Sequence, residues 1–160
     1  MLHINIICIG KLKEQYLKDA LNEYSKRLYK YCSLKIIELP DEKVPENLNA
    51  NIINKIKEIE SNNILSHIKN NSYTIALDLH GKQLSSEEFS LKIENIALNN
   101  NSNINFIIGG TLGLSDKLLK QATELISFSK MTFPHQLIRI FLLEQIFRAF
   151  KILSNDKYHH

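Results

Sequence analysis

LISFSKMTFPHQLIRIFLLEQIFRAF, residues 125–150, is the stretch on which the reading of this chain turns. Leu125 to Phe128 is a short apolar run with the length of a buried strand. It passes into a polar turn, Ser129-Lys130-Met131-Thr132, and then into Phe133-Pro134. Proline suits the first turn of a helix, where its missing N–H would have had no partner. His135, Gln136 and Arg139 then bring polar chemistry to a helix N-terminus, whose free backbone N–H groups favour anions. Two of the chain's three arginines, Arg139 and Arg148, and one of its three prolines fall in this stretch. From Leu137 to Leu153, at about 100° per residue, apolar side chains point in nearly every direction. A helix of that kind is buried on two sides. In a chain this small, one of those sides is expected to meet a second copy, so a homodimer is expected. Phe141 and Ile146 are the candidate interface residues, and the sequence leaves open which of them faces the protomer's own core.

Upstream, strands and helices alternate. Residues 2–9 (LHINIICI) form an apolar strand that ends at Gly10, and residues 13–31 carry apolar positions at helical spacing. A second strand, 34–39, is stopped by Pro40. An acidic, proline-broken loop follows, then an amphipathic helix over 49–68 and a third strand over 73–79. Ser85 with Glu88 three residues later is a capping box that opens a helix towards Leu98. The fourth strand, 104–108, runs into Gly109-Gly110-Thr111-Leu112-Gly113, and Ser115 caps a short helix over 116–123. The fold class is therefore α/β, with a mostly parallel sheet flanked by helices. At 160 residues, with neither internal repeat nor linker, the chain reads as one domain.

Composition bounds the function. No apolar run approaches the ~20 residues that span a bilayer, so no membrane partner is expected. The first residues read as strand rather than signal peptide. Two cysteines give neither a disulfide framework nor metal spacing, and no metal is expected. A reducing, cytoplasmic setting follows. The net charge of +3 is compatible with a nucleic-acid partner. Residues 11–35 hold seven basic and three acidic side chains, a face read first as solvated and second as an RNA-backbone contact.

All five glycines, Gly10, Gly81, Gly109, Gly110 and Gly113, lie just after predicted strands. In open α/β sheets ligands bind beyond the carboxyl ends of strands, and glycine lets backbone approach them closely. A small-molecule crevice is the favoured reading. Gly109-Gly110-x-x-Gly113 is not the dinucleotide fingerprint, and Gly81-Lys82 lacks the remainder of a P-loop. Neither metal-ligand spacing nor a Ser/His/Asp set is present. His135 by itself is more often a helix-end residue than a catalyst.

Taken in order, these residues resemble the SPOUT-class large-subunit rRNA methyltransferase H family, the pseudouridine N3-methyltransferases. The likeness rests on Gly10-Lys11-Leu12-Lys13, Leu77, Gly81-Lys82, Ser85-Ser86-Glu87, Ile108-Gly109-Gly110 and Gly113-Leu114. Its most specific part is 127–150, with Met131-Thr132, Pro134-His135, Arg139, Glu144-Gln145 and Arg148-Ala149, closed by Tyr158-His159. The resemblance implies a minimal SPOUT domain with a C-terminal trefoil knot, a homodimer, and S-adenosyl-L-methionine as methyl donor. The implied substrate is a pseudouridine of 23S ribosomal RNA in the assembled ribosome. By position, cofactor binding falls to Leu77, Gly109, Gly110, Gly113 and the loop Phe128, Ser129, Lys130, Met131, Thr132 and Phe133. The catalytic candidates are His135 as proton acceptor, Arg139 for phosphate or a developing oxyanion, and Tyr158 and His159 against the base. Phe147 stands where the family has Tyr, and Asn155 where it has Gly, Asn being the next-best residue for a left-handed helix end. Two other readings stay open: a SPOUT enzyme acting on tRNA, and a non-catalytic RNA-binding factor.

Overall fold

The computed structural model describes residues 1–99 and 101–155. Five strands form one sheet: β1 (Leu2–Ile9), β2 (Cys32–Leu39), β3 (Tyr73–Gln83), β4 (Asn103–Ile108) and β5 (Glu124–Ser127). Their order across the sheet is β2-β1-β4-β3-β5, and every pairing is parallel. Parallel strands need crossovers, and helices supply them: α1 (Gln15–Leu28), α2 (Ala50–Ser66), α3 (Ser86–Leu98) and α4 (Asp116–Gln121), with α5 (His135–Leu153) closing the chain. The sheet is covered on both faces, which is why its strands read as continuous apolar runs. On one face Ile4, Ile6, Ile104, Phe106 and Ile75 pack with residues of α1, α3 and α5. On the other, Ile7, Ile9, Ala76 and Ile107 pack with Ile64 of α2 and Leu118 of α4. Two buried polar side chains, Thr74 and Asn105, interrupt the strands on this second face. Asn105 donates to Ser72 Oγ at 2.8 Å and accepts from Asn5 Nδ2 at 3.0 Å, so neighbouring strands satisfy it.

Local signals hold where they are chemical. Asn49 caps α2 by accepting from Ile52 N, and Ser85 and Glu88 form the predicted capping box. Pro134 sits one position earlier than expected: it flanks α5, and its carbonyl accepts from the N–H groups of Leu137 and Ile138, each at 3.0 Å. Asn155 takes the left-handed conformation, φ 56°, at the end of α5.

Two expectations change. First, β3 does not stop at Leu79. After pairing Leu77 with Ile126, the chain steps out over residues 78–81 and returns to pair Lys82 with the same Ile126. Gly81 is needed for that return rather than for a ligand, since a Cβ there would lie 2.5 Å from the Ile126 backbone. Second, the all-round apolar character of α5 is met largely within the protomer. Leu142, Leu143, Ile146 and Ala149 are fully buried, whereas Phe141 is 38% exposed. Phe147, the Tyr-to-Phe departure, lies edge-on to Tyr24 and Tyr31 in the core. Among the described residues no helix is long and apolar enough to cross a membrane.

Candidate active site

The strand order sets the carboxyl ends of β4, β3 and β5 side by side, and the loops leaving them enclose a cavity of about 450 Å³. That volume lies within the ~300–1,000 Å³ usual for small-molecule sites. Most of its wall comes from residues 77–80 of β3, the Gly109–Leu114 turn after β4 and the loop between β5 and α5, with Lys57 of α2, Asp116 and Leu119 of α4 and the start of α5 completing it. Each of the first three has a local cause. Asp78 Oδ2 accepts from the N–H of His80 at 3.0 Å and so shapes the outward step of β3. The turn after β4 closes by a Gly113 N–H to Gly110 carbonyl bond of 3.0 Å, and Gly113 has φ +85°, a conformation that side chains resist. After β5, Ser127 Oγ donates to the Ser129 carbonyl, and Ser129 Oγ accepts from Met131 N–H at 3.0 Å. These hydroxyl turns fix the loop that runs up to Pro134.

Of the predicted cofactor residues, Leu77, Gly109, Gly110 and Gly113 line this cavity, as do Phe128, Ser129, Met131, Thr132 and Phe133. Lys130 does not; its side chain is exposed beside it. Gly109 has a packing role besides its place in the cavity wall. A Cβ there would meet Leu114 Cδ2 at 3.0 Å and the Gly113 carbonyl carbon at 3.2 Å, so the glycine lets the turn fold on itself. Leu79, Ile108, Ile126 and Ile138 give the cavity apolar walls, while Asp78, Asp116, Thr111 and Ser127 supply polar groups. Sequence reading missed these. Asp78 and Asp116 carried a signal: an acid interrupting an apolar strand, and an acid opening a capped helix.

His135 lies at the rim, where it lines both this cavity and a second one of about 320 Å³. The second is bordered by Asp41, Glu42 and Glu60. Glu60 is buried and accepts from the Glu42 N–H at 3.0 Å. Burial, first of all, pushes its carboxyl up from the ordinary value. The His135 ring stands over Gly10, its Nε2 3.8 Å from where a Cβ on that glycine would be. Its pKa is lowered, chiefly by burial and then by the Arg139 charge, with Lys13 adding to the effect and Asp41 opposing it. A neutral imidazole is the form able to take a proton.

Arg139 is not at the cavity. It is fully buried, with Nη1 donating to Glu38 Oε2 at 2.8 Å and Nη2 to the Gly10 carbonyl at 3.1 Å. Its guanidinium is therefore engaged with the protein's own groups rather than open to a phosphate. Glu144, Gln145 and Arg148 likewise make contacts between and along helices: Tyr24 Oη donates to Glu144, Ser86 Oγ to Gln145, and Arg148 to Glu144. Tyr158 and His159 lie outside the described residues. Both cysteines are buried, and burial pushes each thiol up to about 11, which leaves them unreactive near neutrality. No group of three His, Cys, Asp or Glu among the described residues is arranged to hold a metal.

Comparison with known proteins agrees with this architecture. A family described as "Predicted SPOUT methyltransferase" matches residues 2–159. A "Ribosomal RNA large subunit methyltransferase H" of Clostridium botulinum (strain 657 / Type Ba4) is 59% identical over 158 residues, which cover 99% of each chain. A "Ribosomal RNA large subunit methyltransferase H 1" of Clostridium perfringens (strain SM101 / Type A) is 56% identical over the same share of both chains. Among solved structures, a probable methylase family protein from Haemophilus influenzae Rd KW20 superposes with a TM-score of 0.55. That alignment covers 98% of this chain and 70% of the other, at 12% identity, so the likeness is one of fold. With the family match running almost from end to end and the cavity at the carboxyl ends of β3, β4 and β5, this chain belongs to the SPOUT methyltransferase family.

Proposed function

We propose that this protein is an S-adenosyl-L-methionine-dependent methyltransferase that acts on N3 of a pseudouridine in 23S ribosomal RNA. The observation that carries the reading is the glycine-walled cavity with a half-buried, neutral-leaning His135 at its rim. Identity of 59% to a protein named for large-subunit ribosomal RNA methylation supports the substrate class. The donor set fits the cofactor. Leu77, Leu79 and Ile138 suit the faces of an adenine ring, and the Asp78 and Asp116 carboxylates suit ribose hydroxyls and positive charge.

When bound, the cofactor supplies a methyl group on a sulfonium. Methylation of N3 would release the N3 proton, which a group of the protein would have to take. The protein's share is orientation and proton removal. His135 accepts that proton. Tyr158 and His159 act on the base, by stacking and hydrogen bonding. Lys130, exposed beside the loop, meets RNA phosphate rather than the cofactor.

The reading includes one minimal SPOUT domain with a trefoil knot. Its support is the SPOUT methyltransferase family match over residues 2–159. A homodimer is part of it too: Phe141 is exposed on α5, edge-on to Phe133 with ring centroids 5.5 Å apart. Tyr16 and Tyr29, exposed within the segment 11–35 that holds seven basic and three acidic side chains, support an RNA partner. A cytoplasmic setting follows from a ribosomal substrate.

The test is calorimetric titration with S-adenosyl-L-methionine, followed by mass mapping of 23S ribosomal RNA from treated ribosomes that lack the mark. RNA affinity without cofactor affinity would instead identify a binding factor, and a mark on tRNA would redirect the enzyme. Truncation after Asp156 is expected to abolish methylation while cofactor affinity stays within about tenfold, ~1.4 kcal/mol.

A further inference from the structure

Arg139 is among the largest fully buried side chains, and its Nε has no hydrogen-bond partner among the described residues. A buried cation with an idle N–H is a poor device for stability, since an apolar side chain of similar size is often as good or better there. Its surroundings point elsewhere. Glu38 Oε2 accepts from Arg139 Nη1 and also from the Leu12 N–H, at 2.8 and 2.9 Å. The Gly10 carbonyl accepts from Arg139 Nη2, and Gln136 Oε1 accepts from the Lys13 N–H at 3.3 Å. The end of β2, the segment 10–13 after β1 and the first turns of α5 are thus tied together. His135 stands one turn before Arg139, against Gly10.

We infer that Glu38 is a positioning residue for methyl transfer: through Arg139 it docks the N-terminus of α5 on the 10–13 segment and holds the His135 ring over Gly10 at the cavity rim. The inference rests on the proton-accepting role proposed for His135. A simple brace would serve equally well with an apolar pair, whereas a carboxylate–guanidinium contact fixes both direction and distance. It also balances charge near the imidazole. The groups facing His135 are Arg139 on α5, Lys13 before α1, and Asp41, Glu42 and Lys43 between β2 and α2, with Glu60 on α2. Glu38 offsets the cation among them that is closest in sequence.

Glu38→Gln keeps the shape and removes the charge. Under single-turnover conditions with ribosomes, it is expected to slow methylation about tenfold while cofactor affinity changes less than threefold. NMR titration should show the His135 imidazole protonating at lower pH than in the wild type. In a His135→Ala background, Glu38→Gln should change the residual rate less than twofold, because the group being positioned is gone. An equal tenfold loss in that background would make Glu38 a general brace and overturn the inference, as would an unchanged rate and titration in the single variant. Should Glu38→Gln not fold, Arg139→Lys, which keeps the charge but not the guanidinium geometry, goes through the same cycle. There too, a loss confined to the protein that retains His135 supports the inference, and an equal loss in the His135→Ala background overturns it. Wild-type turnover by His135→Ala alone would instead remove the proton acceptor from the proposed function, and this inference with it.

Discussion

Two neighbouring regions meet at His135, and they are built on opposite principles. The cavity side consists of turns: Gly109 to Gly113, and the serine-organised loop before Pro134, where backbone and small side chains define the space. The clamp side consists of long side chains, with Glu38 and Arg139 joining β2, the 10–13 segment and α5 by charge. Turn-built walls can hold many ligand shapes as long as the backbone keeps its course. Only the arginine of this pair is buried, Glu38 reaching solvent, so removing the glutamate strands a buried cation. Space and rigid connection are thus divided between the two sides of one histidine.

Arg139→Ala is the strongest attack on this contrast. It empties a fully buried site, while the Glu38 left behind reaches solvent, so the loss of about 3 kcal/mol expected comes from the emptied space. In a chain of this size that corresponds to roughly 6–12 °C in Tm by thermal denaturation. A loss as small as that of a surface substitution would show that the clamp is not the rigid side. Gly109→Val probes the other side. Pressure on Leu114 and Gly113 should distort the turn and weaken cofactor binding at least tenfold, ~1.4 kcal/mol by calorimetry. Unchanged affinity in the folded variant would take Gly109 out of the site.

Phe141→Glu comes next. It should remove the edge-on contact with Phe133, about 1 kcal/mol within the protomer, and turn a dimer into a monomer in sedimentation. Wild-type protein sedimenting as a monomer at micromolar concentration would end the dimer proposal. The smallest expected effect is on pH dependence. With the His135 pKa lowered, the acid limb of methylation should fall below pH 6.5, the ordinary histidine value. As pH drops from 6.5 towards the lowered value, the unfolded chain binds a proton that the folded chain does not. Stability therefore decreases across that window and is restored above it. An acid limb above 6.5 would mean that His135 is not the group being titrated.

Much of this was legible in the sequence because it depends on nearest neighbours. Alternating apolar runs and helical spacing, the Ser85–Glu88 capping box, the left-handed Asn155 and the glycine-rich turn after β4 are all local events. Nine of the ten residues assigned to the cofactor line the cavity, since loops that leave the carboxyl ends of parallel strands must open on the same side of the sheet. The misreadings share a cause as well. Gly81 has the sequence setting of a ligand-facing glycine, yet it is small because the Ile126 backbone lies against it. Arg139 has the setting of an anion-binding residue at a helix start, and its partner is a glutamate 101 positions away.

By itself, then, the sequence determined the elements, their caps, the parallel α/β class and the end of the sheet at which the cavity opens. Only the tertiary structure decided that Ile146 faces the core while Phe141 faces outward, that β3 returns to β5 after residues 78–81, and that Glu38 and Arg139 belong together. The physical reason is range. Periodicity and capping act over a few residues and leave their mark in the chain, whereas ion pairing and close backbone packing act between segments that share nothing in sequence but a place in the fold.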